Sequence, residues 1–193
     1  MGPGAGLPSN VGACLGARRV VVTDISDPDL LETMWRNVRG CELLPRSGGR
    51  RGIKSCPLWR RGWVWGADPG RVLGYLGEGE RGEGFDVLVL ADLLFPAFGA
   101  QEICCATVRQ TLKKSKESKA FVVFTSYRPW LQHKDLAFFD VAREEGWVVE
   151  KVLEKKMDRP LFEKDPGDEE ILKTVTGWEL RWPEEALEEG DRP

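Results

Sequence analysis

Residues 85–90, Phe-Asp-Val-Leu-Val-Leu, are almost continuously apolar and run straight into Ala91-Asp92. A segment with no polar face is expected at the centre of a parallel sheet covered on both sides. Parallel neighbours can be joined only through a crossover, so the chain around this strand should alternate strand and helix. The sequence has that alternation. Arg19 to Thr23 is a short β-branched run ending at Asp24, and Asp27-Pro28 supplies a helix cap followed by a first-turn proline. Leu30, Leu31, Met34 and Val38 then recur at helical spacing, with Glu32 and Arg36 facing water. Trp63-Val64-Trp65 is a brief strand candidate ended by Gly66, and Asp68-Pro69 repeats the cap and proline before Val72, Leu73 and Leu76. Gln101 to Leu112 places Cys104, Val108 and Leu112 four apart, a helix, and Ala120 to Phe124 is a second buried strand. Leu136, Phe139 and Ala142, beside Phe138 and Val141, make a further helix closed by Gly146.

The C-terminal pattern differs. Trp147 to Leu153 and Thr174 to Trp182 are separated by a polar segment holding two prolines and no crossover helix, which predicts an antiparallel pair. In the last strand Trp178, Leu180 and Trp182 share one face, leaving Glu179 and Arg181 for water. The fold class is therefore α/β, with a mostly parallel sheet ended by an antiparallel strand pair.

Composition narrows the function classes. The 193 residues suffice for one domain and contain neither a bilayer-length apolar stretch nor a basic-then-apolar leader, the profile of a cytoplasmic protein. Five cysteines, Cys14, Cys41, Cys56, Cys104 and Cys105, are an odd number without a C-x-x-C pair, which disfavours a disulfide framework or a metal site. Charge is uneven. The net value of -3 hides a window from Leu43 to Ala67 with no acidic residue, holding Arg46, Arg50, Arg51, Lys54, Arg60 and Arg61 among glycines. Clustered arginines can neutralise phosphate. No base-stacking module accompanies them, however, and the window reads as a solvated glycine and arginine insert over about 46–62 rather than a nucleic-acid contact. Residues 183–193 form an acidic tail.

The chemistry-bearing motif lies at the start. Gly2, Gly4 and Gly6 alternate ahead of a helix-like stretch, Asn10 to Leu15, with Gly16 as its cap. Glycines at this spacing let a backbone approach a ligand closely. Asp24 ends the next strand, 18 residues after Gly6, where a nucleoside-binding sheet places an acid on ribose hydroxyls. The third glycine of G-x-G-x-x-G would fall at Ser9, whereas G-x-G-x-G is satisfied, and this favours S-adenosyl-L-methionine over a dinucleotide.

Gly4-Ala5-Gly6-Leu7-Pro8-Ser9, Val22-Thr23-Asp24, Trp63-Val64-Trp65-Gly66, Ala91-Asp92-Leu93-Leu94-Phe95 and Arg128-Pro129-Trp130 resemble the lysine-methyltransferase-like group of seven-β-strand enzymes. Lys134 to Asp140 and Thr176 to Trp182 further resemble its fungal subgroup of protein N-terminal and lysine methyltransferases acting on translation elongation factor 1-alpha, once labelled nicotinamide N-methyltransferases. The resemblance implies a Rossmann-like class I methyltransferase domain over residues 1–182. It implies that Gly4, Ala5 and Gly6 line the donor, that Asp24 holds its ribose, that Trp65 flanks the adenine and that Ala91 contacts the donor. Asp92, which orients the amine, would border the substrate channel with Phe95, and Tyr127 and Arg128 are candidates for its rim. In such a fold the glycine loop hangs from a first, central strand, which this chain is expected to lack. The edges of the Arg19 and Phe85 strands should then stand open, and donor binding by this chain should be weak or absent. The implied partner is a protein, with a small-molecule amine or a non-catalytic remnant as the competing readings.

Overall fold

The computed structural model describes residues 1–2, 4, 6–24, 27–44, 58–80, 82–94, 100–162 and 167–188. The chain divides into two compact units, Met1–Gly82 and Glu83–Pro193. No helix among the described residues is long and apolar enough to cross a membrane.

In the first unit, helix α1 (Leu7–Cys14) packs on strand β1 (Val20–Asp24), and β1 pairs in parallel with β2 (Leu58–Gly62). Helix α2 (Pro28–Gly40) begins where the sequence places it. The Asp27 carboxylate accepts from the backbone N–H groups of Asp29 at 2.9 Å and Leu30 at 3.1 Å, satisfying donors that the first turn leaves open. Met34 is the buried centre of its apolar stripe, with Leu30, Leu31 and Val38 half-buried beside it. The short helix α3 (Gly70–Leu73) follows Pro69, and the Asp68 carboxylate ahead of it accepts from the Gly70 N–H at 2.9 Å.

Strand β2 corrects two expectations. The strand lies at Leu58–Gly62, inside the window read as an insert, and Trp63-Val64-Trp65 follows it instead of forming it. Its partnership is made through main-chain groups, with Val20 opposite Leu58 and Asp24 opposite Gly62. Consecutive arginines at 60 and 61 break the apolar alternation by which a strand is recognised, but backbone pairing does not require that alternation.

The second unit carries a four-stranded sheet in the order β3-β4-β6-β5, from β3 (Val87–Ala91), β4 (Lys119–Phe124), β5 (Val148–Lys156) and β6 (Thr174–Arg181). The β3 and β4 strands are parallel, and β6 runs antiparallel to both β4 and β5, as the long polar connection predicts. Helices α4 (Ala100–Thr111) and α5 (Gln132–Glu144) pack against each other, and α5 covers β5. The polar connection contains one helical turn, α6 (Glu169–Leu172), and a short helix α7 (Glu184–Glu188) occupies part of the acidic tail.

Three further details depart from expectation. Leu88 and Leu90 are buried but Val87 is 55% exposed, so β3 alternates rather than being covered on both faces, and it ends the strand order of its sheet instead of lying centrally. Glu179, expected in water, is buried and bridges to Lys119 Nζ at 3.1 Å from the neighbouring strand, since a long lysine can bring its charge to a carboxylate on a covered face. Leu136 is 37% exposed while Asp135 turns inward.

The core of this unit is aromatic. Phe139, on α5, stacks on Trp178 of β6 at 4.1 Å between ring centroids and meets Phe138 edge-on at 5.1 Å. Phe124, the last residue of β4, lies 6.0 Å away. One side chain thus joins the helix to two strands. Approaching β3, Gly84 has a φ of 96°, and a Cβ there would meet the Thr111 carbonyl oxygen at 2.7 Å and the Lys113 nitrogen at 2.8 Å. That close approach allows Phe85 to exchange hydrogen bonds with Thr111 and Lys113.

Phe139→Ala is expected to lower stability by about 3–5 kcal/mol through lost burial and the cavity left behind. Urea unfolding should show a lower midpoint with an unchanged slope, and Phe139→Leu should lose less than half as much.

Candidate functional site

The sequence-predicted residues fall in both units. In the first, the Gly2 N–H donates to the Thr23 carbonyl at 3.1 Å, running the N-terminal segment beside the end of β1. Gly4 and Gly6 have φ values of 51° and 84°, a left-handed geometry that a side chain adopts at a cost. A Cβ at Gly4 would meet nothing within 4 Å, so backbone conformation rather than crowding calls for glycine there. Gly6 is the N-terminal boundary of α1, which starts at Leu7 with Pro8 in its first turn, earlier than the expected Asn10. Ala5 and Phe95 lie outside the described residues.

Asp24 is buried at the C-terminal end of β1, and its carbonyl accepts from the Trp63 N–H at 2.9 Å. That bond carries the β1–β2 ladder one residue further and fixes the tryptophan pair. Trp63 is the core member, 4% exposed, with its Nε1 donating to the Asp68 carbonyl at 3.2 Å. Trp65 is half-buried, and its Nε1 is shielded without a hydrogen-bond partner. The Oδ1 of Asn10 is in the same condition. Buried polar atoms lacking partners are costly, and a bound group or a water is one way to supply the missing contact. An acid at a parallel strand end, left-handed glycines and an unsatisfied indole N–H fit a nucleoside-bearing donor.

The second unit gathers Ala91, Asp92, Tyr127 and Arg128 at the C-terminal ends of β3 and β4, where parallel strands characteristically present ligand-binding groups. Asp92 directly follows β3 and has φ 50°, the only non-glycine residue with positive φ among the described residues. Two hydrogen bonds hold it there. Its N–H donates to the Val123 carbonyl at 2.9 Å, and its Oδ1 accepts from the Thr125 N–H at 3.1 Å. Backbone strain of this kind persists only where the surroundings over-determine it, and it clusters at ligand sites.

Asp92, Tyr127, Arg128 and Asp135 line one pocket, floored by Leu94 and Phe124. Asp135 was not legible as a site residue beforehand. Its signal was position, because it stands three and four residues before Phe138 and Phe139 and so shares their inward face. Desolvation lifts the Asp92 carboxyl above the ordinary carboxylate range, against the opposing pull of the Thr125 N–H. Asp135 is also raised, by burial, with Ser126, Arg128 and His133 acting the other way. Burial and then the neighbouring Asp92 charge raise the Tyr127 phenol, whose ring meets Phe162 edge-on at 5.6 Å. The pocket is acidic, partly dry and aromatic on one side.

Comparison with known proteins decides the family. No protein-family model matches the chain. It is 57% identical over 186 residues to a Neurospora crassa protein named protein N-terminal and lysine N-methyltransferase efm7, covering 95% of this chain and 64% of that protein. The Gibberella zeae protein of the same name is 46% identical over 188 residues, covering 96% of the chain and 69% of the relative. The chain belongs to the EFM7 family of protein N-terminal and lysine N-methyltransferases. It spans about two thirds of the length of these relatives. Solved structures agree on the fold. A Haloferax volcanii candidate methyltransferase, in complex with the Trm112 activator, matches 94% of the chain and 80% of its own with TM-score 0.54 and 11% identity. A Pyrococcus horikoshii candidate RNA methyltransferase matches 94% of the chain and 72% of its own with TM-score 0.51 and 16% identity. The fold is thus Rossmann-like, of the methyltransferase kind.

Because the Asp92 carboxyl is raised by burial, its ionisation costs folded-state stability once the pH exceeds that raised value, and costs nothing below the ordinary carboxylate range. Asparagine keeps the Oδ1 acceptor and tolerates left-handed backbone. Asp92→Asn is therefore expected to raise the melting temperature near neutral pH, with the difference closing in acid. A variant that melts lower at neutral pH would contradict this.

Proposed function

We propose that this EFM7-family chain transfers a methyl group from S-adenosyl-L-methionine to a protein amine, the N-terminal amine or a nearby lysine of translation elongation factor 1-alpha. The observation that carries the reading is Asp92, a strained acid pinned at the end of β3 in a pocket of a protein whose relatives are named for methylating protein amines. The elongation-factor assignment rests on the subgroup resemblance, and a cytoplasmic location follows from that substrate.

When bound, S-adenosyl-L-methionine supplies a methyl group on a cationic sulfur, ready for in-line displacement. In the first unit the residues for holding it are Gly4 and Gly6 along the backbone, Asp24 on the ribose hydroxyls and Trp65 beside the adenine. An amine attacks only through its lone pair, so the enzyme mainly has to orient it and let its proton leave to water. Asp92 does the orienting, as its carboxylate is fixed in place by the Thr125 N–H and remains open to solvent. Tyr127 and Arg128 form the border of the substrate channel.

Radiolabelled methyl transfer to purified elongation factor 1-alpha should place label at the N-terminal amine or a lysine. Label appearing on nicotinamide and related amines but not on the factor would favour the small-molecule reading. Whatever affinity this chain keeps for S-adenosylhomocysteine, Asp24→Ala should lower it by about tenfold or more, the scale of a lost hydrogen bond to a charged group, as measured by calorimetric titration.

A further inference from the structure

We propose that Asp135 is a positioning residue for the amine substrate, its carboxylate lining the same pocket as Asp92 and reading the positive charge of an unblocked primary ammonium. The inference rests on the methyltransferase reading above for what happens to that ammonium, but its geometry is independent of it. Asp135 occupies the first turn of α5, 7% exposed, at a position where the helix otherwise turns Phe138, Phe139 and Ala142 inward. An apolar side chain would fill this place at lower cost, and Leu136, which could have done so, faces outward instead.

Asp135 is not isolated. The Ser126 hydroxyl, 4% exposed, hydrogen-bonds its carboxyl, and Arg128 and His133 lie near enough to act on its charge. These contacts hold the carboxylate at the pocket wall that Asp92 also lines. Carboxylates lining one pocket offer acceptors to a cation with several donors, and a primary ammonium brings three. Tyr127 adds an aromatic wall, braced by Phe162, suited to the cation and its alkyl stem. Both an N-terminal amine and a lysine side chain meet this requirement, whereas an acetylated amine has lost the charge. Asp135 in this role binds and orients, and the departing proton goes to water.

The test compares a peptide bearing a free N-terminal amine and a lysine with the same peptide acetylated at both, using the intact protein. Asp135→Asn should raise KM for the free-amine peptide by about tenfold or more and leave kcat within about threefold, since a lost ground-state contact appears in KM. S-adenosylhomocysteine affinity and melting temperature should not fall, and Asp135→Glu should recover part of the loss. A folded Asp135→Asn protein with unchanged KM, or with kcat alone reduced, overturns the proposal. Should Asp135→Asn fail to fold, Ser126→Ala decides: a raised KM supports the assignment and an unchanged one overturns it. If wild-type protein methylates neither peptide yet binds the free-amine form in preference, and Asp135→Asn removes that preference, the charge reader stands and the methyltransferase reading falls.

Discussion

The two hydrogen bonds of Asp92 set the level at which β3 and β4 end, and the second unit's pocket is arranged around that level. Its N–H reaches Val123 within β4, and its carboxylate receives the N–H of Thr125 just beyond it. Each bond would be ordinary alone. Together they keep an L-residue at a φ of 50°, a conformation that a free chain would leave. β4 can impose this because it is held on both sides, by β3 in parallel register and by β6 in antiparallel register. The antiparallel strand β6 thus serves the site indirectly, by fixing the strand against which Asp92 is clamped.

The core explains why that strand holds its place. Phe124 ends β4, and its ring lies near Phe139, which stacks on Trp178 of β6. Packing and pairing therefore constrain the same backbone from perpendicular directions, through side chains across the sheet and hydrogen bonds within it. The residues after Phe124 leave the strand from a rigid base, and a short loop suffices to deliver Tyr127 and Arg128 to the pocket.

Much of this was legible in the sequence where local chemistry and burial agree. The Asp27 cap, the β1 and β4 strands and the antiparallel pair follow from residue patterns that need no distant partner. The left-handed glycines and the strand-end Asp24 were legible for the same reason. What escaped was set by tertiary partners. β2 is defined by its ladder with β1, and consecutive arginines hide it. Glu179 is buried beside Lys119 of the next strand and Arg181 of its own, and Asp135 is buried beside Ser126 in the loop after β4. Glu179 was legible as solvent-facing because its charge partner across the sheet could not be read from its own strand.

The charges of the pocket also separate fold from function. Structural neighbours at 11% and 16% identity share the Rossmann-like scaffold, and a scaffold of this kind hosts many substrates. Selectivity has to come from groups whose placement is otherwise wasteful. Asp92 sits in strained backbone, and Asp135 occupies a core-facing position that a leucine one residue away does not take. Burial raises both carboxyls, against the Thr125 N–H at Asp92 and the Ser126 hydroxyl at Asp135. Arg128 and His133 relieve Asp135 only in part, since burial remains the largest influence on its carboxyl. On the proposed assignment a cationic substrate supplies the remainder when it binds. A neutral aromatic amine, with fewer donors and no charge, would leave both acids underpaired, so the same local cost that destabilises the empty pocket favours a protonated aliphatic amine as its occupant.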